Sequence, residues 1–279
     1  MFRKPVLLAS AASLLCSVAV GQAFAPRSMD YLFVATANDA RAIWLNPAGL
    51  AVVPEASIMA ELVVHRSPDA DLRLSQLSVG LNSQGLSMAY NRERLVRDSS
   101  NHTYRIAMAR ALQGWTIGVA MSYFRNGEND TGYDAGIRYR LLRSVDLGVV
   151  VRNIGQPLIR SDTLPLTGVA GLGWTVLGGA LVLSGETLAQ NQLSESGYTM
   201  SYRAGARLSV GRNIPIVGLT AVHLDNDLGV TMWSFGVTVG GLRRAAMVAG
   251  VSTGDPSARL ETLSLAGIST NPLTTWRRR

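Results

Sequence analysis

The chain has 279 residues, a formal charge of +7, 28 glycines and one cysteine, Cys16. Two of the positive charges are Arg3 and Lys4 and three more are Arg277-Arg278-Arg279, so most of the excess is terminal. With no basic stripe interleaved by aromatics, this pattern excludes a nucleic-acid partner, and a lone cysteine excludes a disulfide framework or a cysteine metal site.

The first element in chain order is an export signal: Arg3 and Lys4, an uncharged apolar stretch over 6–20, then the small residues Gly21 and Ala23. Residues 1–23 are assigned to it, with cleavage after Gly21 left open, because a site at Ala23-Phe24-Ala25 would leave Pro26 as the first mature residue. Leu15 precedes Cys16 where a lipoprotein signal needs a small residue. Beyond the signal, residues 39–45 predict a short amphipathic helix, which Asn46-Pro47 ends because the residue before proline is pushed out of helical space. Gly49 then permits a tight turn.

From residue 56 the pattern has a period close to two. Tyr198, Met200, Tyr202, Ala204 and Ala206 share one face with Leu208 and Val210, opposite Thr199, Ser201, Arg203, Gly205, Arg207 and Ser209. Trp115, Ile117, Val119, Met121 and Tyr123 likewise oppose Thr116, Gly118, Ala120 and Ser122. Such alternation predicts strands. An apolar face with aromatics near its ends, opposite a face of glycines and charges, suits lipid outside and a polar lumen inside. Turn signals at Asn82-Ser83-Gln84-Gly85, Gln113-Gly114, 125–132, 153–157, 211–215, Asp225-Asn226-Asp227 and 253–256 divide the chain into strands of about ten residues, the length a tilted spanning strand needs. The predicted fold is all-β: a transmembrane antiparallel barrel of about twelve to fourteen strands over 55–279, preceded by a short helical segment within 24–54. Phase slips near Ser75-Gln76 and Met232-Trp233 indicate either bulges or strand boundaries set in the wrong place. Residues 163–185 carry no charge, but their glycines favour a hairpin turning at Gly178-Gly179 over a membrane helix. The last strand is placed at 260–269, with Trp276 beyond it as a candidate assembly signal.

The chemistry in the chain is sparse. His65, His102 and His223 lack ligand spacing, so no metal and no cofactor is expected, and nothing brings a serine and a histidine together, so no catalysis is expected either. The charged residues Arg105, Asp134, Arg138, Arg140, Asp146, Arg152, Arg203 and Arg207 fall on lumen-facing positions. They would either line a route for an anionic head group or form a charge ladder inside a narrow, plugged barrel. The terminal arginines are a candidate contact for outer-membrane lipid or lipopolysaccharide head groups, or a solvated end.

The string over 39–51, with Asp39, Trp44, Asn46, Pro47, Gly49 and Leu50, resembles the N-terminal region of the FadL-type long-chain fatty acid transporters and their PorV-like relatives. The resemblance implies that 24–54 is a hatch plugging a barrel in the bacterial outer membrane. It also implies one of two roles: passage or binding of small hydrophobic molecules, as in the transporters, or a PorV-like barrel that receives proteins with a secretion apparatus. A structural barrel is the third reading. The chain is short beside the transporters, with little room for long external loops.

Overall fold

A computed structural model describes residues 30–66, 72–94, 100–125, 129–159, 162–192, 197–211, 215–240, 245–253 and 262–272. The expected signal, Trp276 and the terminal arginines lie outside the described residues. The strands are β1 (Glu55–Arg66), β2 (Leu72–Ser83), β3 (Leu86–Arg94), β4 (Ser100–Leu112), β5 (Trp115–Arg125), β6 (Asn129–Leu142), β7 (Val145–Ile154), β8 (Leu158–Ile159), β9 (Asp162–Thr163), β10 (Thr167–Val176), β11 (Leu181–Asn191), β12 (Tyr198–Val210), β13 (Ile216–Leu224), β14 (Val230–Val239), β15 (Ala245–Thr253) and β16 (Thr262–Pro272). β8 and β9 pair antiparallel with each other as a separate hairpin; the other strands pair antiparallel with their neighbours, and β1 pairs with β16 from Glu55↔Pro272 to His65↔Thr262, so that among the described residues fourteen strands close one barrel. Closure leaves no open edge, which is what allows strands to cross a bilayer. Among the described residues no helix is long and apolar enough to do so.

The wall is inside out relative to a soluble protein. Along β5, Trp115, Ile117, Val119, Met121 and Tyr123 are exposed, while Thr116, Gly118, Ala120, Ser122 and Phe124 are buried in the barrel. The outward side chains lie against lipid, and the alternation sets the register of each strand, since a slip of one residue would turn every apolar group inward. Both predicted phase slips are bulges. Ser75 is passed over between partners of Val63 and Val64, and its Oγ donates to Val63 O at 3.0 Å. Thr231 is passed over beside His223, and its Oγ1 donates to His223 O at 3.2 Å. Each bulged hydroxyl thus meets the carbonyl opposite, satisfying a group that the interrupted ladder leaves open.

The two ends differ. At one, called here the turn end, strands are joined by tight connections such as Gln84-Gly85, where both residues have positive φ (53° and 92°) as a type I′ hairpin requires. The 310 turn Leu177–Gly179 closes the predicted hairpin between β10 and β11 there. Glu55 and Pro272 meet at the same end. At the other, the loop end, the connection from β7 to β10 carries the small β8–β9 hairpin, whose Ile159 packs with Leu164 and the inward Phe124. This hairpin is held by Asn153 Nδ2 donating to Pro165 O at 2.9 Å. The predicted last strand at 260–269 is observed as β16, which runs on to Pro272; residues 260–261 lie outside the described residues.

Because the outward face meets hydrocarbon, replacing Ile106 at the middle of β4 by arginine is expected to destabilise the folded barrel by about 2–4 kcal/mol. Urea unfolding in lipid vesicles checks this, and the lumen-facing Thr103→Ser on the same strand should cost far less.

Candidate functional site

Residues 31–50 run through the lumen and are almost wholly buried, and their own backbone hydrogen bonds are short-range turns such as Ala37 N–H to Phe33 O and Asn46 N–H to Ala42 O. The helix α1 is shorter than predicted, Ala42–Leu45 rather than 39–45. The reason is local: Asp39 Oδ1 accepts the backbone N–H of Arg41 at 2.9 Å, and its carboxylate pairs with the Arg41 guanidinium at 2.6 Å, so 39–41 turn instead of starting a longer helix. Asn46 does end it, with extended backbone (φ −150°, ψ 106°), and Pro47 opens a 310 turn, Pro47–Ala51.

Asn46 is the tether of the segment. It is 0% exposed, its Oδ1 accepts Ala48 N–H at 3.1 Å, and its Nδ2 donates to Val34 O at 3.1 Å and to Ile137 O on β6 at 3.3 Å. One amide therefore caps the 310 turn, ties two passes of the segment together and fixes both to the wall. Trp44 lies under the Arg105 guanidinium at 5.6 Å. Leu50 is fully buried, and its carbonyl accepts Asn82 Nδ2 at 3.1 Å. Gly49 serves close approach rather than a special turn: a Cβ there would strike the Ala37 carbonyl and lie 2.8 Å from Ala42 Cβ.

The lumen charges do not line an open route. Arg138 donates to Ala37 O at 3.1 Å and pairs with Asp146 at 3.3 Å. Arg152 donates to Leu45 O at 2.6 Å. Arg203 pairs with Glu186 at 2.9 Å, donates to Leu32 O and covers the Phe33 ring at 5.0 Å. Glu186 Oε2 in turn accepts Val34 N–H at 3.0 Å. Arg105 pairs closely with Asp134 and donates to Ser122 Oγ at 2.9 Å. These wall side chains supply partners that an irregular buried segment cannot make for itself. Arg140 differs from the expectation of a lumen charge: it sits at the turn-end rim, 58% exposed, 3.2 Å from Asp146. Arg207 borders a cavity of about 40 Å³ toward the turn end, with Asp39, Arg41, Phe33, Val182 and Leu219. Such a space holds water but not a ligand of the size that pockets of about 300 Å³ and more accept.

Sequence reasoning missed Glu186, Asn82 and His223, whose Nε2 lies 3.1 Å from Asp30 O. It also read the lumen glycines as lining for a wet interior. They are the seat of the segment. A Cβ at Gly118 would strike the Pro47–Ala48 peptide, one at Gly136 would strike Asn46 Oδ1, and one at Gly205 would be 2.6 Å from the Phe33 ring. Gly118 and Gly136 face each other across β5 and β6, as Gly236 and Gly250 do across β14 and β15 beneath Tyr31. The signal was present as glycine recurring at inward positions of successive strands. The string Gly250-Val251-Ser252-Thr253-Gly254 has the spacing of a nucleophile elbow, yet Ser252 lies within β15 and its Oγ meets Thr262 Oγ1, not a histidine.

No protein-family model matches the chain. No curated protein matches it either. Among solved structures it is similar to the CymD monoaromatic hydrocarbon channel (TM-score 0.61, 10% identity, 91% of this chain and 98% of that one). It is also similar to a Pseudomonas aeruginosa FadL homologue (TM-score 0.54, 9% identity, 91% and 98%). The chain has the fold of a FadL-type outer-membrane β-barrel.

Adding a side chain at the seat should unseat the segment. Gly136→Val is expected to leave a folded barrel in which protease cuts within 31–51 at least tenfold faster than in the parent chain. Arg203→Met, which leaves Glu186 buried without its cation, is expected to cost about 3–5 kcal/mol in urea unfolding.

Proposed function

We propose that this barrel lies in the outer membrane, admits small hydrophobic molecules, and is held shut by the 30–54 segment acting as a hatch. The observation that carries the reading is the manner of closure. The segment fills the lumen yet is fastened by reversible contacts, namely side-chain hydrogen bonds to its carbonyls and glycine-backed packing. The fold likeness to a hydrocarbon channel and the export signal read from residues 1–23 support it. Movement of residues 31–41 away from β11–β14 would widen the cavity beside Arg207 into a path, so that passage requires the hatch to shift. The short connections set the loop end outward, following the usual arrangement of tight turns inside and longer loops outside.

A second reading rests on the same closure. A lumen filled so far that the space beside Arg207 is about 40 Å³ also suits a barrel that docks proteins of a secretion apparatus and moves no small solute.

Uptake of a labelled monoaromatic hydrocarbon and of a labelled fatty acid, measured in cells that lack their own hydrophobic-compound transporters, separates the two. Expression of the chain should raise the initial rate of uptake of one of them several-fold, and Gly136→Val should raise it further. No increase with either chain, despite correctly inserted barrel, would overturn passage and leave the docking reading in front.

A further inference from the structure

The outer wall of β3, β4 and β5 carries three stacked rows at the loop end. Met88, Ile106 and Met121 are register partners and form an apolar row; Tyr90, Tyr104 and Tyr123 form the row above it; Arg92, His102 and Arg125 form the third, with the pair Arg94 and Ser100 beyond it on β3 and β4. Each row is contiguous, because directly opposed residues on neighbouring strands lie about 5 Å apart. The tyrosine rings follow one another with centroids 5.2 Å and 6.3 Å apart, and the first is fixed by its hydroxyl, 2.8 Å from His102 Nδ1. Arg92 is held from the side by Ser100 Oγ at 3.3 Å, while its guanidinium stays exposed, as does Arg125.

This order of apolar, aromatic and basic groups matches a lipid molecule read from its acyl chains to its head. Tyrosine marks the depth of the membrane interface, and arginine one row further out stands at head-group height. Of the carboxylates near the ledge, Asp134 pairs with Arg105 in the lumen, Asp130 accepts the backbone N–H groups of Thr131 and Leu158, and Glu93 alternates with Arg92 onto the inward face opposite the buried Gln76. On the far side of the barrel the last described outward residues of β11, β12, β13 and β16 at this end are Asn191, Tyr198, Leu224 and Leu263, all uncharged. A ring of arginines all round would merely favour an anionic surface. Basic side chains gathered on three adjacent strands over a tyrosine row instead make a place for one molecule.

We infer that Arg92, His102 and Arg125 form a docking ledge for a phosphate-bearing lipid head group, a phosphorylated glycolipid of the leaflet at the loop end, with Tyr90, Tyr104 and Tyr123 against its upper acyl chains. Guanidinium groups meet phosphate oxygens in pairs, and a planar fork is better suited to this than a point charge. The ledge is on the lipid side of the wall and is independent of what, if anything, passes through the lumen.

The test is native mass spectrometry of the full chain in mild detergent, incubated with diphosphoryl lipid A or with its dephosphorylated analogue. The parent chain should retain one diphosphoryl lipid per barrel and at least tenfold less of the analogue. Arg92→Gln with Arg125→Gln should lose that preference, while Arg110→Gln, an outward arginine toward the turn end, should keep it; heat-modifiable gel mobility confirms that each variant is folded. Equal retention of the two lipids by the parent chain would overturn the inference without any variant. So would unchanged retention by the folded double variant, or loss of retention in Arg110→Gln to the same extent.

Discussion

The structure depends on backbone lying directly against backbone. Residues 31–50 hold only one helical turn and one 310 turn, so many of their peptide groups would be buried without partners if they filled the lumen as a loose loop. The barrel solves this from two sides. Inward glycines on the wall remove the side chains that would hold the segment away, and inward polar side chains reach the carbonyls that then come within range: Arg203 to Leu32, Arg138 to Ala37, Arg152 to Leu45 and Asn82 to Leu50. Neither device works alone. Without glycine the carbonyls lie too far away, and without the arginines their close approach is paid for in lost hydration.

The same arrangement explains the ion pairs inside. An arginine placed to serve a carbonyl brings a full charge into a space nearly free of water, and such a charge is tolerated when a carboxylate stands beside it. Glu186 does this for Arg203 and Asp146 for Arg138. Glu186 has a second role in accepting Val34 N–H, so one carboxylate both neutralises the wall and holds the segment. The charges of the lumen are thus part of the closure rather than the lining of a pore. A solute crossing here must displace a segment fixed at many weak points, and breaking a few at a time is easier than breaking all together.

The outer face was legible because it is repetitive. Alternation of the Trp115-to-Tyr123 kind needs no partner to be recognised, and the bulges at Ser75 and Thr231 showed as breaks in that rhythm. The N-terminal string was legible in part: Asn46-Pro47 ends a helix for a reason contained in two residues, but the short length of α1 depends on an Asp39–Arg41 contact that period alone does not reveal. The contacts between wall and segment were not legible, because they join Asn46 to Ile137 and Val34 to Glu186, 91 and 152 residues apart in the chain. Inward glycines fit a wet lumen and a tight seat equally well until a neighbour is placed against them, and inward arginines fit a pore and a clamp in the same way. Arg140 shows the limit of parity, since the strand points it inward at a height where the barrel has already opened to solvent.

The measurement that bears most directly on this account is hydrogen–deuterium exchange of the backbone amides of residues 33–50, followed in the full chain reconstituted in lipid. If the segment is seated on the glycines and clamped by the wall, the N–H groups of Val34, Asn46 and Ala48 should exchange orders of magnitude more slowly than an unstructured chain, and as one unit. Exchange at the rate of a free peptide, within a barrel whose strands remain protected, would show that the segment does not close the lumen.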